Sequence, residues 1–258
     1  MGSQMKHPAG AFCWFELGTS DGKAATDFYT KLFGWKNVDM PLPGDMGVYT
    51  MLELGDKQVG ALYELGPKQP GAPPHWMTYV CVDNADKSVE KAASLGAEVI
   101  APAFDVMDAG RMAVLKDPTG AVFSLWEPGT NYGVDLAFAP GSACWAELAT
   151  RDTASAKNFY KSLFGWETKE SDFMAYTEWM NGGQPIGGMM PMEGAQFEGV
   201  PPHWLVYFAV EDCDGAVAKA QSLGAKTLVP PTDIPNTGRF SVIQDPQGAV
   251  FAVINLKM

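Results

Sequence analysis

The chain is written twice. Cys13-Trp-Phe-Glu-Leu, a short polar turn and Phe28-Tyr29-x-x-Leu32-Phe33-Gly34-Trp35 return as Cys144-Trp-Ala-Glu-Leu and Phe159-Tyr160-x-x-Leu163-Phe164-Gly165-Trp166, a constant 131 positions later. Between Cys13–Trp35 and Cys144–Trp166, 13 of 23 positions are identical, far above chance. Further matches sit 128 apart: Pro73-Pro74-His75-Trp76 with Pro201-Pro202-His203-Trp204, Gly110-Arg111 with Gly238-Arg239, and Asp117-Pro-Thr-Gly-Ala-Val-Phe123 with Asp245-Pro-Gln-Gly-Ala-Val-Phe251. One internal loop of the second copy is therefore shorter. A repeat this long is a duplicated domain, because each copy can hold its own core.

The length of 258 residues agrees with two domains. Residues 1–10 are expected to be a flexible N-terminus, 11–128 the first domain, 129–141 a linker and 142–258 the second domain. A net charge of −12 argues against nucleic acid or an anionic membrane as partner. The four cysteines show no CxxC spacing and read as small buried hydrophobes of a reducing compartment. No run of apolar residues is long enough to span a bilayer and no basic-then-apolar leader is present, so a cytoplasmic protein is expected.

Within each copy the same order of elements recurs. Phe12–Leu17 alternates with a period of two, placing Cys13, Phe15 and Leu17 on one face and Trp14 and Glu16 on the other. Ser20 or Asp21 can cap a helix whose apolar stripe runs through Phe33 and stops at Gly34. Extended segments follow at Gly47–Leu54 and Gln58–Leu65, and a Pro/Gly-rich stretch, Gly66–Pro74, divides the copy. A strand over His75–Val82, a helix over Asp86–Ser94, a strand at Glu98–Ala101 and a hairpin around Asp117-Pro-Thr-Gly complete it. The pattern predicts two βαβββ modules per copy and four in all.

This order, with the Phe-Tyr-x-x-Leu-Phe-Gly-Trp helix end and the Asp-Pro-x-Gly-Ala-Val-Phe hairpin, resembles the vicinal oxygen chelate superfamily of glyoxalases, bleomycin-resistance proteins and extradiol dioxygenases. The resemblance implies an α+β fold: two tandem domains whose four modules curve into incomplete barrels with helices outside and a ligand cleft inside. It also implies a divalent metal held by His and Glu. The family's ligand positions fall on Trp14, Met77 and Ser124 in copy one and on Trp145, Leu205 and Ala252 in copy two, none of them a credible ligand for such an ion. Two residues along the same face stand Glu16 and His75, repeated as Glu147 and His203, a shifted and weak candidate metal set. Beyond that divalent ion, no cofactor is expected.

Glu16 and Glu147 are the candidate catalytic residues, since a carboxylate inside an apolar strand is costly unless paired or solvated. An ion pair with Arg111 or Arg239 is the structural alternative. Those arginines, with Trp14, Trp145, Met77 and Ser124, are the candidate ligand-binding residues, the indoles offering flat apolar area and the guanidiniums an anion anchor. For His75 and His203, bonding to backbone at a strand start is the structural alternative. The expected partner is a small molecule. One reading is a glyoxalase-like lyase or isomerase acting on a small carbonyl compound, with Glu16 or Glu147 as base. The other is sequestration of an aromatic molecule without catalysis, as in bleomycin resistance. The chain is expected to be a monomer of two paired domains or a homodimer.

Overall fold

The computed structural model describes residues 5–44, 47–66, 71–172 and 174–257. Part of the expected divider, residues 67–70, lies outside them. In the first copy the elements run β1 (Phe12–Thr19), α1 (Gly22–Phe33), β2 (Lys36–Pro41), β3 (Val48–Leu54), β4 (Lys57–Glu64), β5 (His75–Cys81), α2 (Ala85–Ser94), β6 (Glu98–Val106), β7 (Gly110–Lys116) and β8 (Val122–Pro128). The second copy repeats them as β9 (Ala143–Thr150), α3 (Thr153–Phe164), β10 (Glu167–Glu170), β11 (Thr177–Asn181), β12 (Gln184–Pro191), β13 (His203–Ala209), α4 (Cys213–Ser222), β14 (Lys226–Ile234), β15 (Gly238–Gln244) and β16 (Val250–Leu256). Among the described residues no helix is long and apolar enough to cross a membrane.

Each copy forms one open, mixed eight-stranded sheet, ordered β2-β3-β4-β1-β5-β8-β7-β6 and β10-β11-β12-β9-β13-β16-β15-β14. The α+β architecture and the four βαβββ modules are those the sequence order implied. The strands β2 and β10 were not visible in it: every residue of both is exposed, and the alternation of Val38 and Met40 with Asn37 and Asp39 in β2 marks no buried face.

Helix α1 begins where the Asp21 carboxylate accepts from Ala24 N at 2.9 Å and ends at Gly34, whose φ of 75° is the left-handed stop. Helix α3 repeats both devices with Asp152 and Gly165. Ala25, Phe28, Tyr29 and Leu32 form the buried stripe of α1, and Ala156, Phe159, Tyr160 and Leu163 that of α3.

Packing divides the chain along a different line from the duplication. One compact unit takes the N-terminal stretch to Trp14, Thr78–Gly133 and Trp145–Leu205; the other takes Phe15–Met77, Val134–Cys144 and Val206 onward. Each unit thus joins a module of one copy to a module of the other, and the joints are reciprocal. In the first unit Tyr160 donates to Asp117 Oδ2 at 2.8 Å, Trp166 Nε1 to the Gly10 carbonyl at 2.8 Å and Lys91 Nζ to the Leu163 carbonyl at 2.9 Å. In the second, Tyr29 meets Asp245, Trp35 Nε1 donates to the Gly141 carbonyl at 2.6 Å and Lys219 Nζ to the Leu32 carbonyl. The two lysines satisfy carbonyls at the ends of α3 and α1 that those helices leave open.

Aromatic rings fill both joints. Phe33, Trp35, Trp76, Phe208 and Phe251 cluster around Tyr29 in the second unit, with Trp76 and Phe208 centroids 5.1 Å apart. Phe123, Phe164, Trp166, Trp179 and Trp204 surround Tyr160 in the first. The Phe-Tyr-x-x-Leu-Phe-Gly-Trp signature is therefore the seam between modules.

Candidate active site

In the second unit, Glu16 stands in β1 between Phe15 and Leu17, and is 9% exposed. Tyr49 of β3 donates its hydroxyl to Glu16 Oε2 at 2.5 Å. Glu16 pairs with Ala61 across the β1–β4 ladder and Gly18 with Tyr63; Tyr49 pairs with Tyr63 in turn. Side chains alternate along a strand, so Glu16, Tyr49 and Tyr63 share one face. Gly18 leaves room there: a Cβ would stand 2.9 Å from Leu65 Cδ2, 3.2 Å from the Tyr63 hydroxyl and 3.4 Å from His75 Cε1.

His75 opens β5 with Nδ1 2.8 Å from the Pro73 carbonyl. A carbonyl only accepts, so Nδ1 carries the hydrogen of this bond. His203 makes the same bond to Pro201 at 2.9 Å in the first unit. The backbone role is thus present in both.

In the first unit, Glu147 of β9 is 7% exposed and is bonded by Tyr176, whose hydroxyl also accepts from Trp145 Nε1 at 2.8 Å. Burial and the neighbouring Glu147 charge push the Tyr176 phenol far above its ordinary value, so it stays protonated and donates to the carboxylate. Glu147 pairs with Gly188 in the β9–β12 ladder, and a Cβ on Gly188 would fall inside the Tyr176 phenol. The glycine is the slot in which that ring lies. Tyr49 and Tyr176 escaped the sequence reading; the signal was the recurring pair Tyr49-Thr50 and Tyr176-Thr177, shifted by 127.

The arginines occupy other places. Arg111 Nε and Nη2 grip Asp86 at 2.9 and 3.0 Å while Nη1 holds Asp105 at 2.8 Å. Arg239 grips Asp214 and Asp233 in the same fashion. Arg111 borders an open depression of about 240 Å³, with its guanidinium turned to those acids. Trp14 is buried, Met77 half-buried and Ser124 buried beside Tyr79, where the Ser124 Oγ has no hydrogen-bond partner.

The donor set decides whether a divalent ion fits the family's positions. An indole at Trp14, a thioether at Met77 and a neutral hydroxyl at Ser124 supply no imidazole or anionic oxygen, and Trp145, Leu205 and Ala252 supply less. Among the described residues no three His, Cys, Asp or Glu side chains converge. These residues do not fit such an ion.

Known proteins resemble the chain in sequence and in fold. The sequence profile of the "Glyoxalase/Bleomycin resistance protein/Dioxygenase superfamily" matches residues 11–125 and 143–253. CFP32 of Mycobacterium tuberculosis, named as a candidate glyoxylase, is 41% identical over 247 residues, covering 93% of each chain. Anthracycline biosynthesis protein DnrV of Streptomyces peucetius is 37% identical over 263 residues, covering 96% of this chain and 94% of its own. Among solved structures, the Mn(II)-bound glyoxalase from Novosphingobium aromaticivorans superposes with a TM-score of 0.67 at 15% identity, covering 96% of this chain and 83% of that one. The 2,3-dioxygenase LapB from Pseudomonas sp. KL28 superposes with 0.65 at 14% identity, covering 97% and 94%.

Proposed function

Because the chain belongs to the glyoxalase/bleomycin resistance protein/dioxygenase superfamily, we propose that this glyoxalase-like protein isomerises a small carbonyl adduct, with Glu16 and Glu147 as bases. The observation that carries the reading is a nearly buried carboxylate in each copy, held by a tyrosine hydroxyl. A carboxylate so placed takes a proton from the carbon next to a carbonyl, and the released electron pair forms a carbon–carbon double bond as negative charge gathers on the carbonyl oxygen. When the deprotonated carbon also carries a hydroxyl, its O–H proton passes to the former carbonyl oxygen as the carboxylic acid returns the first proton to the former carbonyl carbon. The hydroxyl becomes the new carbonyl, the old carbonyl becomes a hydroxyl, and nothing is gained or lost. Tyr49 and Tyr176 orient the carboxylates, and their hydroxyls are the nearest donors for the charge on oxygen.

A second reading, sequestration of an aromatic molecule without turnover, is favoured by the likeness to anthracycline biosynthesis proteins. Both readings take the partner to be a small molecule. The cytoplasmic location and the choice between monomer and homodimer belong to the same proposal.

The test is hemithioacetal isomerisation by the full chain and by Glu16→Gln with Glu147→Gln. The expected result is turnover that falls about 10²- to 10⁴-fold in the double variant. Turnover unchanged by the double substitution removes the carboxylates from the chemistry. No turnover, with saturable quenching of tryptophan fluorescence by a planar aromatic, supports sequestration instead.

A further inference from the structure

Resting on that reading of the acid faces, we infer that the two are not equivalent: the Glu16 face receives an aromatic molecule bearing a phenolic hydroxyl, which takes the place of the Tyr49 hydroxyl, and the Glu147 face does not. Strand register carries the distinction. Across four strands of the second unit one row reads Val38, Met51, Ala61, Glu16, and the next reads Met40, Tyr49, Tyr63, Gly18. Val38 and Met40 are 46% and 42% exposed. The outer part of the platform is apolar and open to water, and its inner end finishes in one carboxylate.

The matching row of the first unit reads Lys169, Glu178, Gly188, Glu147, with Lys169 Nζ 3.0 Å from Glu178 Oε2. A flat apolar molecule laid on the outer end of the two rows of the second unit removes Val38 and Met40 from water. Laid on the row of the first unit, it strips water from an ion pair. The acid itself shows which donor it accepts, since Glu16 already receives an aromatic hydroxyl at 2.5 Å. A phenolic ligand exchanges like for like there, with no covalent step. At Glu147 the same exchange would empty a slot that Gly188 shapes to the Tyr176 ring.

Calorimetric titration of the full chain with 2-naphthol tests this, with 2-methoxynaphthalene keeping the rings and losing the donor. The expected result is one site per chain, about tenfold tighter for the naphthol than for its ether. Val38→Lys with Met40→Lys, at exposed positions, weakens binding about tenfold without changing the melting temperature. Tyr49→Phe, which removes the competing hydroxyl, tightens it severalfold, and Tyr176→Phe leaves it unchanged. Two equal sites, equal affinity for the ether, or weakening by Tyr49→Phe each overturn the inference. Absence of naphthol binding in a chain that still isomerises the hemithioacetal overturns the inference alone; absence of both activities, with no quenching by other planar aromatics, also overturns the proposed function.

Discussion

Tyr29 of the first copy donates its hydroxyl to Asp245 Oδ2 of the second at 2.9 Å, and Trp76 Nε1 donates to the same hydroxyl at 3.0 Å. The other oxygen of Asp245 closes its own hairpin turn, accepting from the amides of Gln247, Gly248 and Ala249. One carboxylate therefore fixes a turn and fastens a helix of the other copy to it. Tyr160, Asp117 and Trp204 repeat the arrangement. Tyr29→Phe keeps the ring and leaves Asp245 short of a donor, so a loss of about 1.5–3 kcal/mol is expected by urea denaturation. A loss within error would show that the bond contributes nothing net.

The paired arginines set the behaviour in acid. Hydrogen bonds from Arg111 and Arg239 hold the carboxyls of Asp86 and Asp214 below the ordinary carboxylate range. A folded value below the unfolded one means stability that is complete above the unfolded value and lost as pH falls through the folded value. Arg111→Met with Arg239→Met is therefore expected to lower the melting temperature at neutral pH and to converge with the parent chain at a pH low enough to protonate both carboxyls. Curves that stay parallel down to that pH would sever the pairs from the acid response.

Gly188→Ala puts a methyl where the Tyr176 phenol lies and is expected to cost about 1–3 kcal/mol by overpacking. It should also expel the ring, visible as a changed emission from Trp145. Ala61→Gly, the reverse exchange in the first copy, is expected to cost no more than about 1 kcal/mol. Equal costs would show that the two acid faces are built alike.

Burial pushes the Cys144 thiol up to about 12. At pH 8 the thiolate fraction is then about 10⁻⁴, so native protein should resist iodoacetamide at this residue and lose that resistance in denaturant. Peptide mass analysis reads the difference, and rapid native labelling of Cys144 would contradict the burial.

Much of the fold was legible because its signals are local. A period of two in Phe12–Leu17, an aspartate before each first helix and a glycine after it each depend on neighbours in sequence. The exposed strand β10 carries no such signal, and β2 only the short alternation of Val38 and Met40, since neither strand buries a face. Glu16 and Glu147 stood out as charges in apolar strands. Their partners Tyr49 and Tyr176 did not, because a half-buried tyrosine in a strand or just before one is as ordinary as a core residue. The Asp-Pro-x-Gly turns are fully explained by hairpin geometry when read alone; their second oxygen acquires its meaning only from a helix far away in the chain.

The reciprocal seams have a consequence for how such a chain can be shortened. A single copy cut out between the repeats keeps the tyrosine of one seam and the aspartate of the other, with neither matched partner. It can shelter the rings of its Phe-Tyr-x-x-Leu-Phe-Gly-Trp helix end only by finding another molecule of itself, so its folding would fail on dilution. Joining the copies end to end turns that encounter into an intramolecular one and frees the fold from protein concentration.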